Sequence, residues 1–367
     1  MFYYWDVMKT PDSETQSFTF KKHRMKSFPF FLAFFLFFSF SLPGQSSGAI
    51  NDFVKNGIRL HDAGDYEAAI AEYKKALKLD PKSGLVLYEM GLSYYASGNY
   101  GKAVSYANKA LKYPGKHARE CYTLKGNALD KLDKASKALR VYDEGIRLYP
   151  DYHLLYFNKG VTLYRLGKTQ KAIPLFIESL NRDLGHAGSH YLLGMAQSAE
   201  GNRVEGMLSL YLFLLFEPDS DRSSIALGQL YASAGEGVSG NEQDGFQINL
   251  SPKKIESDFA PAETYLSFKE VARQQNPSGE SGEIAWFAEV TEGLFDILAD
   301  LSEKGHSGFY WDKYVPFFVA LNEAGHTEAF CFFISQNKGE EAAKWLEANQ
   351  SKLDLLFDWL NAEEKQN

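Results

Sequence analysis

The chain is predicted to be all-α: a helix-turn-helix solenoid over its first half, followed by an α-helical C-terminal region. Two observations predict this. Glycine returns on a fixed step at Gly57, Gly91, Gly126, Gly160, Gly194 and Gly228, with intervals of 34, 35, 34, 34 and 34 residues. Around each glycine, apolar residues recur at spacings of three, four and seven, the period of one helix face. A self-similar period of this length marks repeats that bury their helical faces against one another and leave a long curved surface free.

The repeat starting at Gly84 shows the elements most clearly. Leu87, Gly91 and Tyr94 mark a first helix, Ser97-Gly98-Asn99 a break, and Tyr100, Ala103, Ala107 and Ala110 a second helix. Gly91 and Ala103 are small where two antiparallel helices must approach. Pro114 stops the second helix, because proline lacks the amide donor and clashes with the preceding turn. The same marks appear as Phe53, Gly57, Leu60, Gly64, Tyr66, Ala69, Tyr73, Ala76 and Pro81 in the repeat before it. They return as Tyr122, Gly126, Leu129, Ala138, Tyr142, Gly145 and Pro150, and then as Tyr156, Gly160, Leu163, Gly167, Ala172, Phe176 and Ser179. A last full copy carries Gly194, Gly201, Gly206, Leu210 and Pro218.

This pattern resembles the tetratricopeptide repeat (TPR). The resemblance covers residues 50–220 as five repeats, and a half repeat over 221–235 follows in register with Leu227, Gly228 and Tyr231. It implies a right-handed TPR superhelix. Some positions depart from the pattern. His190 and Ser224 stand where a large apolar residue is usual, Pro174 is expected to bend its helix or push its start downstream, and Gly206 replaces a packing alanine and is expected to loosen the fifth repeat.

The resemblance also implies a site. In the TPR fold the first helix of each repeat lines a concave face with its second, fifth, ninth, twelfth and thirteenth residues. Carried onto this chain, that face holds Tyr88, Leu92 and Tyr95, then Asn127, Asp130 and Lys131, then Phe157, Tyr164 and Arg165, and finally Tyr191 and Met195. Tyrosine and arginine are favoured at binding hot spots, and an extended segment or helix of a partner protein could lie there. The Lys/Asn carboxylate clamp of the chaperone-tail subclass is not matched, since Val54 and Ile58 occupy its positions in the first repeat.

The front of the chain reads as an address. Residues 28–42 are fifteen residues without a charge, preceded by Lys21, Lys22, Arg24 and Lys26 and followed by Pro43-Gly44-Gln45-Ser46-Ser47-Gly48. A basic segment, a short apolar run and small residues at its exit describe a secretory signal peptide. A membrane-spanning helix needs about 20 apolar residues; an uncleaved anchor in the inner membrane is the alternative. Met25-Lys26 would be a natural start of translation. The expected organisation is therefore a leader over 1–44, the repeats over 45–235, a Gly- and Ser-rich loop or linker over 236–256, and a helical cap or small domain over 257–367. The expected location is the periplasm or the extracellular space.

Removing residues 1–44 takes away five basic and three acidic side chains, which moves the formal net charge from −8 to −10. Such a chain is poorly suited to neutralising phosphates, so nucleic acid is not an expected partner. The two cysteines, Cys121 and Cys331, are expected to be separate buried thiols. No phosphate loop, nucleophile elbow or His-Glu-x-x-His pair is present. His186 and His190 share a helix face at metal-ligand spacing, but helix entry and packing explain them better. Asp62 and Asp65 beside Gly64 read as capping residues. No catalytic residue, metal or cofactor is expected.

Past the linker, helices are expected near 259–273, 283–303, 310–323, 326–336 and 339–362. The aromatic run from Phe309 to Phe333 is expected to be core rather than a ligand platform. The leading expectation is an exported binding scaffold for another protein. An enzymatic or glycan-binding activity in 257–367, with the repeats as a targeting arm, and a self-assembling structural protein are the alternatives.

Overall fold

A computed structural model describes residues 43–241, 245–250, 252–275 and 282–364. The leader expected over 1–44, including its apolar run at 28–42, lies almost wholly outside the described residues. Eleven helices carry the repeats: α1 (Pro43–Asp62), α2 (Tyr66–Leu79), α3 (Gly84–Ala96), α4 (Tyr100–Ala110), α5 (Ala118–Lys131), α6 (Ala135–Leu148), α7 (His153–Arg165), α8 (Thr169–Leu180), α9 (Ala187–Ala199), α10 (Arg203–Phe216) and α11 (Asp221–Ala234).

The turns between paired helices follow from local chemistry. Gly64, Gly98, Gly167 and Gly201 adopt φ of +80, +77, +69 and +74°, a region that costs glycine nothing. Each ends its helix in the same way: the amide after the glycine bonds a carbonyl five residues back, as from Asp65 to Leu60 (2.9 Å) and from Asn99 to Tyr94 (2.8 Å). The third repeat reaches the same conformation with Asp133, at φ +57°. The next helix is then capped from its side chain in the first repeats. Asp65, Ser83 and Asn99 accept from the amides of Ala68, Val86 and Lys102.

The chain forms two compact units, and the boundary falls between Leu132 and Asp133, inside the third repeat. It does not follow the expected division between 45–235 and 257–367. The described part of the first unit is α1–α5, in which consecutive helices pack in order and bury Val54, Ile70, Tyr73, Val86, Met90, Tyr94, Leu124 and the alanines between them.

The second unit joins α6–α11 to the C-terminal region. Its repeat glycines permit close helix approach: a Cβ on Gly160 would lie 2.7 Å from Phe176 Cε1, and one on Gly194 would lie 2.6 Å from Leu210 Cγ. The loosening of the fifth repeat expected from Gly206 is not found; the glycine does the reverse. A Cβ there would lie 2.6 Å from Ser198 Oγ and 3.2 Å from the Ser198 amide nitrogen, so its absence lets α9 and α10 close together. Pro174 sits inside α8, which nevertheless starts at Thr169, so the start is not displaced.

α10 explains why the unit is not divided at the linker. Twelve of its fourteen residues are buried, Arg203 among them, so it is covered on every side. Besides α9 and α11, the cover comes from the C-terminal region, whose helices are α13 (Ala260–Gln275), α14 (Glu283–Ser302), α15 (Phe309–Lys313), α16 (Val315–Glu323), α17 (Thr327–Ile334), α18 (Glu340–Ala348) and α19 (Gln350–Glu364), with α13 to α17 against α10. Tyr211 of α10 sits among Phe287, Phe295, Phe318 and Phe330, with ring centroids 5.6–6.0 Å away, and its hydroxyl pairs with Thr291 Oγ1 at 2.8 Å. The aromatic run is thus core: Tyr310, Trp311, Tyr314, Phe318, Phe330 and Phe332 are all buried.

Three expected boundaries differ. The segment read as a loop contains an antiparallel hairpin of β1 (Val238–Asn241) and β2 (Gly245–Ile248), with Ser239 opposite Gln247, and the short helix α12 (Pro252–Ile255). The helix expected over 310–323 breaks at Tyr314, because Pro316 is tolerated only in the first turn of the new helix. The helix expected over 339–362 breaks at Asn349 into α18 and α19.

Candidate binding faces

Each first helix of a repeat buries one stripe and leaves the opposite stripe half open. On α3 the buried stripe is Val86, Leu87, Met90, Ser93 and Tyr94. The helical period turns Tyr88, Leu92 and Tyr95 away from it, and all three are half-buried. Tyr88 stacks on His117 at 5.6 Å, and Tyr95 meets the edge of Tyr100 at 5.3 Å. On α5, Asn127 and Asp130 are half-buried and Lys131 is exposed. Burial raises the Tyr95 phenol above its ordinary range, with smaller contributions from Tyr100 and the Asp130 carboxylate. These six expected residues share the first unit.

Sequence reasoning missed an acidic pair in that unit. Glu89 of α3 is half-buried and its carboxyl is held above the usual range, first by burial and then by the charge of Asp62 on α1. In the same unit His61 Nδ1 and Ser93 Oγ are 2.8 Å apart, and the buried Tyr73 hydroxyl lies beside Ser93. A signal for half of the pair was present, since His61 and Asp62 are the twelfth and thirteenth residues of the first repeat.

The other five expected residues lie in the second unit. Phe157 is half-buried, with its ring 4.6 Å from His186 and 6.1 Å from Phe176, so part of it serves the core. Tyr164 and Tyr191 are half-buried and close enough for Tyr191 to raise the Tyr164 phenol, an effect second to burial. Tyr191 packs on Phe213 at 4.9 Å, and the Arg222 guanidinium covers both rings at 5.6 and 5.4 Å. Met195 is half-buried against the same core, and Arg165 is exposed, 4.0 Å from Asp133. Arg222 was missed, although it is the second residue of the half repeat and the rule that selected Tyr88 applies to it.

The histidine pair takes the capping and packing roles. His186 caps α9, with Nδ1 accepting from the Ser189 amide at 3.2 Å. His190 is fully buried, with Nε2 2.7 Å from the Leu184 carbonyl and Nδ1 2.6 Å from the Tyr314 hydroxyl. Burial is the main cause that lowers both to about 4. Among the described residues, no group of three or more His, Cys, Asp or Glu is placed to hold a metal ion. Cys121 and Cys331 are buried free thiols, each raised to about 12 chiefly by burial. Among the described residues, the C-terminal region carries a polar depression lined by Glu289, Glu292, Glu328, Asn322 and Thr327. Glu289 and Glu328 there are paired with Lys269 and Lys352.

These faces can be set beside known proteins. Profiles for the TPR repeat and the tetratricopeptide repeat match residues 57–105 and 123–183. The BBSome complex member BBS4 of Bos taurus is 32% identical over 113 residues, 31% of this chain and 22% of that protein, so the chain matches less than a quarter of this relative. The photosystem I assembly protein Ycf3 of Prochlorococcus marinus is 30% identical over 118 residues, 28% of this chain and 68% of that protein. Among solved structures, a thermophilic TPR protein from Thermus thermophilus covers 49% of this chain and 98% of its own, at 19% identity and a TM-score of 0.43. Two profile matches in register with the glycine step, a relative matched over two thirds of its length and the paired helices themselves agree: the chain belongs to the tetratricopeptide repeat family.

Proposed function

We propose that this chain is an exported scaffold that binds a protein or peptide partner through the open stripes of its first helices and performs no catalysis of its own. The observation that carries the reading is the half-open tyrosine stripe of α3, Tyr88 and Tyr95, set opposite a fully packed stripe of the same helix. Large rigid aromatics left partly in water beside polar groups are the residue types that anchor protein interfaces. Tyr164, Tyr191 and Arg222 repeat that chemistry in the second unit. The expected leader supports export, and no described helix is long and apolar enough to cross a membrane.

The test is affinity capture from an envelope extract with the full chain as bait, beside the Tyr88→Ala/Tyr164→Ala variant. Phe157 is kept, because its ring packs on Phe176. A protein held by the wild type and released by a variant of unchanged circular dichroism establishes the scaffold and names its client. Equal capture by both refutes the assignment of these faces. Export is tested separately by sequencing the N-terminus of the mature protein; a terminus upstream of residue 28 refutes leader cleavage.

A further inference from the structure

We infer that the first unit carries a pocket, at the break between α4 and α5, that takes one large apolar side chain from an acidic segment of the partner protein. Such a pocket rests on the protein-binding reading above and gives that partner its chemistry. The break is where the repeats lose their regular step. The interval from Gly91 to Gly126 is 35 residues rather than 34, and α4 stops after 11 residues where α2 runs to 14. Pro114 disfavours helical backbone at Tyr113. The chain closes instead in tight turns, the amides of Lys112 and Tyr113 bonding the carbonyls of Lys109 and Ala110 at 3.1 and 2.9 Å. With the last turn of α4 missing, a cavity of about 170 Å³ opens between the start of α3 and the start of α5. About 150 Å³ is enough to hold a benzene ring. Ala110, Ala118 and Cys121, all buried, form its apolar floor. Its wall is held by a close approach: a Cβ on Gly84 would lie 2.4 Å from the Tyr113 carbonyl oxygen, so glycine lets the loop lie against α3.

The rim of the cavity is cationic. From 109 to 119 the chain carries Lys109, Lys112, Lys116, His117 and Arg119 and no carboxylate, although its formal net charge is −8. Lys109 lies over the Tyr106 ring at 4.3 Å, and Arg119 bonds Glu120 at 3.0 Å. Among the described residues neither Lys112 nor Lys116 has a carboxylate partner, and Lys116 lines the cavity. His117 lines it too and stacks on Tyr88 at 5.6 Å, so the pocket adjoins the tyrosine stripe of α3. A segment lying along that stripe reaches the pocket. An apolar side chain fills the space, and carboxylates on either side of it meet the two lysines. A phospholipid headgroup or a nucleic-acid phosphate would match the lysines and leave the cavity unfilled.

Selection of short random peptides displayed on phage against the full chain, and in parallel against the Lys112→Glu/Lys116→Glu variant, tests the assignment; both positions are exposed. The expected result is a large apolar residue flanked by Asp or Glu on the wild type, and no such enrichment on the variant. A synthetic copy of a selected peptide should bind about tenfold more weakly when its apolar residue is replaced by alanine, and lose affinity as salt rises. Ala118→Leu, which fills the cavity from its floor, should weaken the parent peptide by a similar factor and leave the alanine copy unaffected. If that variant does not fold by circular dichroism, the alanine copy decides the matter on the wild-type protein alone. Peptides without acidic residues, bound equally by the lysine variant, or indifferent to the alanine replacement overturn the pocket; where they are lost on Tyr95→Ala, the protein-binding reading stands. Failure to select any peptide, or binding only to phosphatidylglycerol vesicles tested beside them, overturns both.

Discussion

His190 should make the second unit sensitive to mild acid. Its Nε2 is 2.7 Å from the Leu184 carbonyl, which can only accept, so Nε2 carries the proton. Nδ1 must then accept from the Tyr314 hydroxyl, 2.6 Å away. Both partners thus fit the neutral ring. Protonating Nδ1 would aim a second donor at a buried phenol and place a charge where nothing solvates it. Burial accordingly lowers His190 from 6.5 to about 4. Because the folded pKa lies below the unfolded one, the unfolded chain takes up the proton first as pH falls. Stability is full above pH 6.5, declines between 6.5 and 4, and levels off below. Linkage at about 1.4 kcal/mol per unit gives a loss of about 2 kcal/mol at pH 5 and about 3 kcal/mol at pH 4. His186, also lowered to about 4, adds a loss in the same window.

Urea unfolding followed by tryptophan fluorescence at pH 7 and pH 5 is the assay. Four of the five tryptophans, Trp286, Trp311, Trp345 and Trp359, lie in the unit that contains His190, so the signal reports chiefly on it. The His190→Phe variant retains His186 and places an aromatic ring beside Phe216 and Tyr314, which flank the histidine at 5.4 and 5.5 Å. Its loss between pH 7 and pH 5 should be smaller than that of the wild type by about 2 kcal/mol. Equal losses would refute the neutral tautomer and the buried hydrogen-bond pair on which the reasoning rests.

Two further changes follow from the packing. Gly160→Ala and Gly194→Ala press a methyl group onto Phe176 or Leu210 and should each cost about 1–3 kcal/mol, whereas Gly228→Ala meets nothing within 4 Å and should stabilise α11 by about 0.5–1 kcal/mol; thermal melts of the three variants compare them. Glu263→Ala removes the carboxylate that receives Arg203 Nε at 2.8 Å and the Val204 amide at 3.3 Å, both fully buried. It should cost about 3–5 kcal/mol in the same fluorescence-detected unfolding and open the hairpin segment, which Arg203 holds through the Glu236 carbonyl at 2.6 Å.

Much of the architecture was legible because TPR contacts are short in sequence. Gly64, Gly98, Gly167 and Gly201 announce their turns through a backbone conformation that side chains resist. Asp65, Ser83 and Asn99 announce helix starts through a single local hydrogen bond. The open stripe of α3 was legible for the same reason, since helical period alone separates Tyr88 from Met90. Arg222 and Asp62 were equally within reach once the positional rule is run through the half repeat and the first repeat. Glu89 was not, because its raised carboxyl comes from its own burial and from the charge of Asp62 on another helix, neither of which has a period.

The sequence by itself determined the repeats, their helix ends and the faces they leave open, since each depends on residues within about one repeat of one another. The tertiary structure alone decided what becomes of the last repeat. The burial of α10 on every side, the four phenylalanines around Tyr211, the Arg203–Glu263 pair and the bond from His190 to Tyr314 join residues 60 to 124 positions apart. Such pairs meet only after the chain has folded back, and their identities are set by the space and charge each finds there. That is why a histidine stands where the family places an apolar residue, and why the repeats from Asp133 onward and the C-terminal helices form one unit.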